Sequence, residues 1–163
     1  MKTIRSTNGY SIQVDDCHYE YLNQFNWSML GNQVKYACSR MGNSTGKMVY
    51  MHVWVAAQAG LDMSNDIDHK DRNPLNNQLS NLRAATRSQN CANSKKDLGA
   101  TCEYRGVYFE RRSGKYKAQI NIDNKKRNLG RFRDPVQAAK KYDEVAFTAW
   151  GDFATLNFPE DYQ

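Results

Sequence analysis

Asp66-Ile67-Asp68-His69-Lys70-Asp71-Arg72-Asn73-Pro74-Leu75-Asn76-Asn77, followed by Asn81-Leu82-Arg83 and then Thr86-Arg87-Ser88-Gln89-Asn90, is the stretch on which the reading of this chain turns. From Asp66 to Ser94 the sequence is rich in Asn and Asp, has a single proline and shows little hydrophobic periodicity. Such a segment is either loop or site. Thr86 and Gln89 match the capping-box pattern Ser/Thr-x-x-Glu/Gln, which predicts a helix starting at Arg87 with Asn90 in its first turn.

Upstream, from Ser11 to Tyr50, short apolar runs (Ser-Ile-Gln-Val, Val-Lys-Tyr-Ala-Cys, Lys-Met-Val-Tyr) are separated by Gly and Asn turn signals, which predicts an antiparallel sheet. Between those runs, Asp16 to Trp27 spaces Tyr19, Leu22 and Phe25 three apart, on one face of a short helix. Met51 to Gln58 is apolar and uninterrupted and reads as a buried helix. It carries His52, expected to be a hydrogen-bonded core imidazole, while His18 is expected at the surface or in support.

Downstream, a polar linker is expected over 94–103. Hydrophobic alternation then returns, and Arg105 to Phe109, Tyr116 to Ile122 and Arg127 to Phe132 read as three strands, with Ser-Gly and Asp-Asn at the turns. Asp134 fits the cap and Pro135 the first position of a following helix. Val136, Ala139, Tyr142, Ala146 and Ala149 should form its packing face before Gly151 stops it. Tyr116 and Phe132 are expected in the core. The predicted fold class is α+β.

Composition narrows the classes. No stretch approaches the ~18 apolar residues of a membrane span, and no apolar run follows the basic residues near Met1. The expectation is a cytoplasmic protein, in a bacterium or phage-infected host, with no membrane partner. Cys17, Cys38, Cys91 and Cys102 form no Cys-x-x-Cys pair and are expected to be reduced thiols. The formal charge of +6 is unevenly spread: residues 1–103 hold 11 Lys or Arg against 9 Asp or Glu, whereas Arg105 to Arg131 hold 9 against 2. The excess sits in one short segment, and charge alone leaves a solvated surface and a face for a polyanion equally open.

The central string resembles the HNH nuclease motif, with Asp68-His69, Asn81-Leu82-Arg83 twelve residues after the histidine, and Asn90 nine residues further on. The resemblance implies a β-hairpin and a helix that clamp one divalent metal per active site, Mg²⁺ before Mn²⁺. It implies His69 as general base, Asp68 and Asn90 as metal ligands, and Asn81 as the residue that fixes the loop carrying His69. These residue types suit phosphodiester hydrolysis. Imidazole titrates near neutral pH, and a hard cation held by oxygen ligands offsets charge on the phosphate. Asn93, one turn beyond Asn90, is a second-rank candidate. The motif ends in Asn rather than His, a variation that the homing-type branch shares.

From Tyr104 to Phe158 the chain resembles the APETALA-two (ethylene-response-factor) DNA-binding domain. The matching residues are Tyr-Arg-Gly-Val at 104–107, Gly-Lys-Tyr-Lys-Ala-Gln-Ile at 114–120, Leu-Gly-Arg-Phe at 129–132, then Ala138-Ala139, Tyr142-Asp143, Ala146, Gly151 and Leu156-Asn157-Phe158. That resemblance implies a three-stranded sheet laid into the major groove of double-stranded DNA, with one helix behind it. Arg105, Arg111, Arg112, Lys115, Lys117, Lys125, Lys126 and Arg127 are candidates for phosphate contact, and Gln119 and Asn121, with the two turn arginines, for base edges. Tyr108, Tyr116 and Asn128 stand where the plant domains have arginines and tryptophans, so the plant target sequence does not carry over.

The resulting expectation is a homing-type endonuclease. It has an N-terminal antiparallel sheet leading into a ββα-metal nuclease core over 1–93, with the motif at 66–94, and a DNA-binding domain over 104–163. A monomer with one metal site should nick, whereas a double-strand break needs a homodimer or a second event. The competing expectation is a sequence-specific DNA-binding regulator with an inactive nuclease remnant.

Overall fold

Residues 1–32, 35–41, 46–94 and 102–162 are described in the computed structural model, and they fall into two units, Met1–Thr86 and Arg87–Gln163. The linker expected over 94–103 lies mostly outside the described residues.

In the first unit, β1 (Lys2–Arg5) pairs antiparallel with β2 (Ser11–Val14), and α1 (Asp16–Leu22) follows. Then β3 (Ser28–Leu30), β4 (Tyr36–Arg40) and β5 (Met48–Tyr50) form an antiparallel sheet in that order. Helix α2 (Met51–Gln58) leads to the hairpin of β6 (Asp66–His69) and β7 (Leu82–Ala85). The expected N-terminal sheet is therefore two sheets, and β1 and β3 go beyond the sequence reading. Each is short, and β1 has one buried residue, Ile4, too little to register as alternation. The helix expected to run to Trp27 stops at Leu22, where the polar Asn23 and Gln24 enter a turn.

One core serves this unit. Ile4, Ile12, Val14, Leu22, Trp27, Met29, Met51, Val55, Ile67 and Leu82 bury together. Trp27 is 1% exposed, and its indole N–H donates to the Leu22 carbonyl at 2.8 Å, so the largest apolar side chain carries no unmet polar group. Ile67 and Leu82 come from β6 and β7, which ties the motif hairpin to this core.

The second unit opens with α3 (Arg87–Ala92), then β8 (Val107–Glu110), β9 (Lys115–Ile122) and β10 (Lys125–Phe132), ordered β10-β9-β8, and α4 (Pro135–Trp150). Asp123 and Asn124 take φ of 52° and 61°, the pair of positive values that a two-residue hairpin turn requires. Asp134 caps α4 by accepting the Val136 N–H at 3.0 Å, Pro135 opens it, and Gly151 ends it at φ 52°. Small residues Ala138, Ala139 and Ala146, with Tyr142, bring α4 close to Val107, Ala118, Ile120 and Ile122 of the sheet. One expected contact fails: Ala149 is exposed and Trp150 is buried in its place. The face runs 139, 142, 146, 150, and the indole reaches where a methyl group would not.

The α+β class and the helix-backed three-stranded sheet expected from sequence are what is found. Tyr116 and Phe132 pack against the cluster of Val107 and Ala118, as expected.

Candidate functional site

Strand β6 places Asp68 and His69 side by side, paired in register with Arg83 and Leu82 of β7. Neighbouring residues of a strand point to opposite faces, so the two side chains serve different surroundings. Asp68 is buried, and its Oδ2 accepts Arg83 Nε at 2.9 Å. His69 is 5% exposed and lies in a nest of rings: His52 at 5.1 Å and Tyr36 at 6.1 Å between centroids, with Tyr50 5.8 Å from His52.

Burial pulls the His69 pKa below the usual imidazole value, against the upward influence of Asn77, Asp71 and Asp68. Burial thus favours the neutral ring, the form that can accept a proton. His52 is held at about 3, by burial first and then by His69. The hydrogen-bonded core imidazole expected there is not what is found, since His52 Nδ1 is buried with no hydrogen-bond partner. His18 is half-buried and stands edge-on to Trp54 at 5.6 Å.

The loop between β6 and β7 is polar and still ordered, because its own side chains close it. Asn81 Nδ2 donates to Asp71 Oδ1 at 2.9 Å and to the Asn76 carbonyl at 2.8 Å, and its Oδ1 accepts the Asp71 N–H at 3.1 Å. Asp71 also accepts from Asn73 N and Asn76 Nδ2, and although burial pushes its carboxyl up, these donors hold it below the usual range. From outside the loop, Gln13 N donates to the Leu75 carbonyl, Asn77 N to the Gln13 carbonyl, and Leu79 N to Asp15 Oδ2. The N-terminal hairpin is thus the bench on which the His69 loop rests.

The sequence reading did not single out Asn77, which is 0% exposed. Its Nδ2 donates to the Pro74 carbonyl, which turns Oδ1 toward His69 Nε2 at 3.5 Å, the outer limit of a hydrogen bond. That orientation favours the tautomer with the proton on Nε2 and the lone pair on Nδ1. The signal for Asn77 was hidden among Asn73, Asn76 and Asn81. Only the fold separates these four.

Asp68, His69 and Asn81 thus share one hairpin. Asn90 is half-buried on α3, in the second unit, and Asn93 is buried just beyond the end of that helix. Ala92 of α3 packs with Ile120, Tyr142, Ala146 and Trp150, and the Trp150 indole N–H donates to Ser88 Oγ at 3.1 Å.

Register sorts the basic residues of the sheet, because cross-strand partners share a face. Ala118, Ile120 and Ile122 face α4, so Lys115, Lys117, Gln119 and Asn121 lie on the open face. Lys126, Asn128 and Arg131 join them as partners of Asn121, Gln119 and Lys117, and Tyr108 as a second partner of Lys117. Arg131 makes a two-point ion pair with Glu110, at 2.8 and 3.2 Å, that holds the Glu110 carboxyl down at about 2. Lys125 and Arg127 pair with Ile122 and Ile120 and so fall on the helix side, both exposed. Arg111 and Arg112 are exposed in the β8–β9 turn. Arg105 is engaged within its own unit: Nε donates to Tyr142 Oη at 3.0 Å and Nη1 to the Ser94 carbonyl at 2.7 Å. A cleft of about 650 Å³ in this unit is walled by Ser88 and Cys91 of α3 and by Tyr108, Gln119 and Asn121 of the sheet.

No helix among the described residues is long and apolar enough to cross a membrane. A family model described as HNH endonuclease matches residues 49–92. The chain is 32% identical over 85 residues to Protein 3.8 of Escherichia phage T7, a match covering 52% of this chain and 69% of that protein. It is 45% identical over 62 residues to Dehydration-responsive element-binding protein 2E of Oryza sativa subsp. japonica, covering 37% of this chain and 19% of that protein.

Proposed function

The chain belongs to the family of Protein 3.8 of Escherichia phage T7 and carries an HNH endonuclease domain at residues 49–92, and from that premise we propose that it is a metal-dependent DNA endonuclease of the homing type. The observation that carries this reading is the buried His69 beside Asp68, on a loop that Asn81 closes.

Among the described residues no group of three or more His, Cys, Asp or Glu side chains is gathered to hold a metal. The proposed donors, the Asp68 carboxylate and the Asn90 carboxamide, are hard oxygens. They fit Mg²⁺, which keeps several waters and takes one or two carboxylates together with phosphate oxygens, and Mn²⁺ accepts the same set. Such an ion supplies positive charge to the phosphate as it becomes pentavalent. The Asp68 assignment rests on its burial and its place beside His69, and the Asn90 assignment on motif spacing alone.

His69 accepts the proton of the attacking water on Nδ1, the water oxygen bonds to phosphorus, and the opposite P–O bond breaks. Arg83 Nε donates to Asp68 Oδ2 and so fixes the carboxylate, and Asn81 holds the loop in place as a positioning residue. The open face of the β10-β9-β8 sheet grips duplex DNA, with Lys115, Lys117 and Lys126 on phosphates and Gln119 and Asn121 toward base edges. The resemblance over 104–158 and the concentration of basic residues support this division of labour. A single such site attacks one phosphate, so a monomer nicks.

Supercoiled plasmid incubated with the protein and Mg²⁺ or Mn²⁺ is expected to yield open circles, and EDTA is expected to prevent it. Binding without cutting, on any DNA with either metal, would instead make the protein a DNA-binding regulator with an inactive remnant.

A further inference from the structure

The hairpin and loop from Asp66 to Ala85 carry three cations, and two of them are committed within the protein. Lys70 Nζ donates to the Ser80 carbonyl at 2.7 Å, and Arg83 Nε donates to Asp68 Oδ2 at 2.9 Å. The third, Arg72, is exposed, and among the described residues its guanidinium has no hydrogen bond, ion pair or ring contact. Its neighbour Asp71 does not take it, because both carboxylate oxygens are already occupied, Oδ1 by Asn73 N and Asn81 Nδ2 and Oδ2 by Asn76 Nδ2.

The backbone of Arg72 is as fixed as its side chain is uncommitted. Its N–H donates to the His69 carbonyl at 2.9 Å, which closes a turn that starts at the proposed base. The first and last Cα atoms of such a turn lie within about 7 Å of each other. Arg72 sits at φ 60°, in the left-handed region where glycine or asparagine is accommodated at less cost than a long side chain. Within the protein nothing offsets that cost, since the head group binds nothing there.

We propose that Arg72 is the phosphate clamp of the nuclease unit: its guanidinium binds the non-bridging oxygens of the DNA phosphodiester that is cut beside His69. This inference rests on the reading of His69 as the base. A guanidinium is planar, always charged and forked, and so matches two phosphate oxygens at once. Those oxygens gain negative charge as the phosphorus becomes pentavalent, so the contact strengthens along the cutting step. The clamp belongs to the first unit and is separate from the grip of the β10-β9-β8 sheet.

The test uses the full chain as wild type, Arg72→Asn, which removes the guanidinium but suits the left-handed backbone, and Arg72→Lys, which keeps the charge without the fork. Single-turnover cleavage, the salt dependence of DNA binding in EDTA, and urea unfolding are measured for each. Arg72→Asn is expected to cut about a hundredfold more slowly and to lower the salt slope of log K by about one unit. Its urea midpoint should equal or exceed that of wild type, because the backbone strain is relieved. Arg72→Lys should restore the slope and only part of the rate. An Arg72→Asn protein with the wild-type slope and rate overturns the inference and leaves a solvated surface charge. A slower rate accompanied by a lower urea midpoint overturns it in favour of a structural role, and a lower slope with an unchanged rate places the bound phosphate away from the cut bond. If wild type cuts no DNA, the nuclease reading falls, and with it the placement beside His69; the slope then decides whether Arg72 binds a DNA phosphate at all.

Discussion

The side-chain amide of Asn81 donates to the Asp71 carboxylate at 2.9 Å while its carbonyl oxygen accepts the Asp71 backbone N–H at 3.1 Å, so residues from the two ends of the β6–β7 loop hold each other from both sides. Asp71 lies two residues beyond His69, so this pair closes the loop that carries the imidazole. Asn81→Ala leaves the Asp71 carboxylate and the Asn76 carbonyl short of a donor. Cleavage by this variant is expected to fall by about a hundredfold, as it does when a reacting group is displaced by about 1 Å, with DNA affinity unchanged. Single-turnover cleavage beside gel shifts checks this. Equal losses in both would move Asn81 from positioning the base to gripping DNA.

Burial of His52 predicts acid sensitivity. Its folded pKa is about 3, below the ordinary imidazole value of 6.5. Between those pH values the unfolded chain takes up a proton that the native chain refuses, so native stability falls as pH drops through the window, by up to about 1.4 kcal/mol per pH unit. His69, Tyr36 and Tyr50 surround the ring, and none offers it a negative charge at these pH values. His52→Phe should therefore lose less stability than wild type between pH 7 and pH 5, by about 2 kcal/mol, in urea melts at each pH. Parallel pH profiles for the two proteins would contradict it.

Gly106 makes a prediction about backbone. It sits at φ +73°, and a Cβ there would run into the Tyr142 ring, with the Gln119 carbonyl 2.9 Å away. The residue also accepts the Gln119 N–H through its own carbonyl. Positive φ and the clash together should cost Gly106→Ala about 3 kcal/mol in urea unfolding. A loss below about 1 kcal/mol would mean that Tyr142 moves aside freely.

For the sheet, parity separates residues that sequence alone grouped together. Lys117→Ala and Lys126→Ala, on the open face, should weaken DNA binding across all sequences and each lower the salt dependence of log K by about one unit. Arg127→Ala, on the helix side, should leave that slope alone, and Arg105→Ala should destabilise the fold, because its guanidinium braces α3 and Tyr142. Equal slopes for Lys117→Ala and Arg127→Ala would show that the duplex lies elsewhere.

Local patterns were legible in the sequence and long-range ones were not. The Asp134 cap, the Pro135 start, the Gly151 stop and the Asp123-Asn124 turn are each written within a few residues, and each is found. The spacing of His69, Asn81 and Asn90 is equally local. What the sequence hid was whatever depends on partners far along the chain. Nothing local marks Asn77 among its neighbouring asparagines, or brings Tyr36 and His52 to His69. The same holds for α3, whose anchors at Trp150 and Arg105 lie 62 and 11 residues beyond Ser88 and Ser94. The strands β1 and β3 were too short for alternation to show, and they become strands through pairing with β2 and β4.

The most direct test is the single-turnover cleavage rate of His69→Ala in Mg²⁺, set beside its DNA affinity in EDTA. A general base typically contributes about 10²- to 10⁴-fold. The expected result is a loss of that size with DNA affinity unchanged, in a protein that melts like wild type. Cleavage by His69→Ala within about tenfold of wild type would contradict the assignment of His69 as the base.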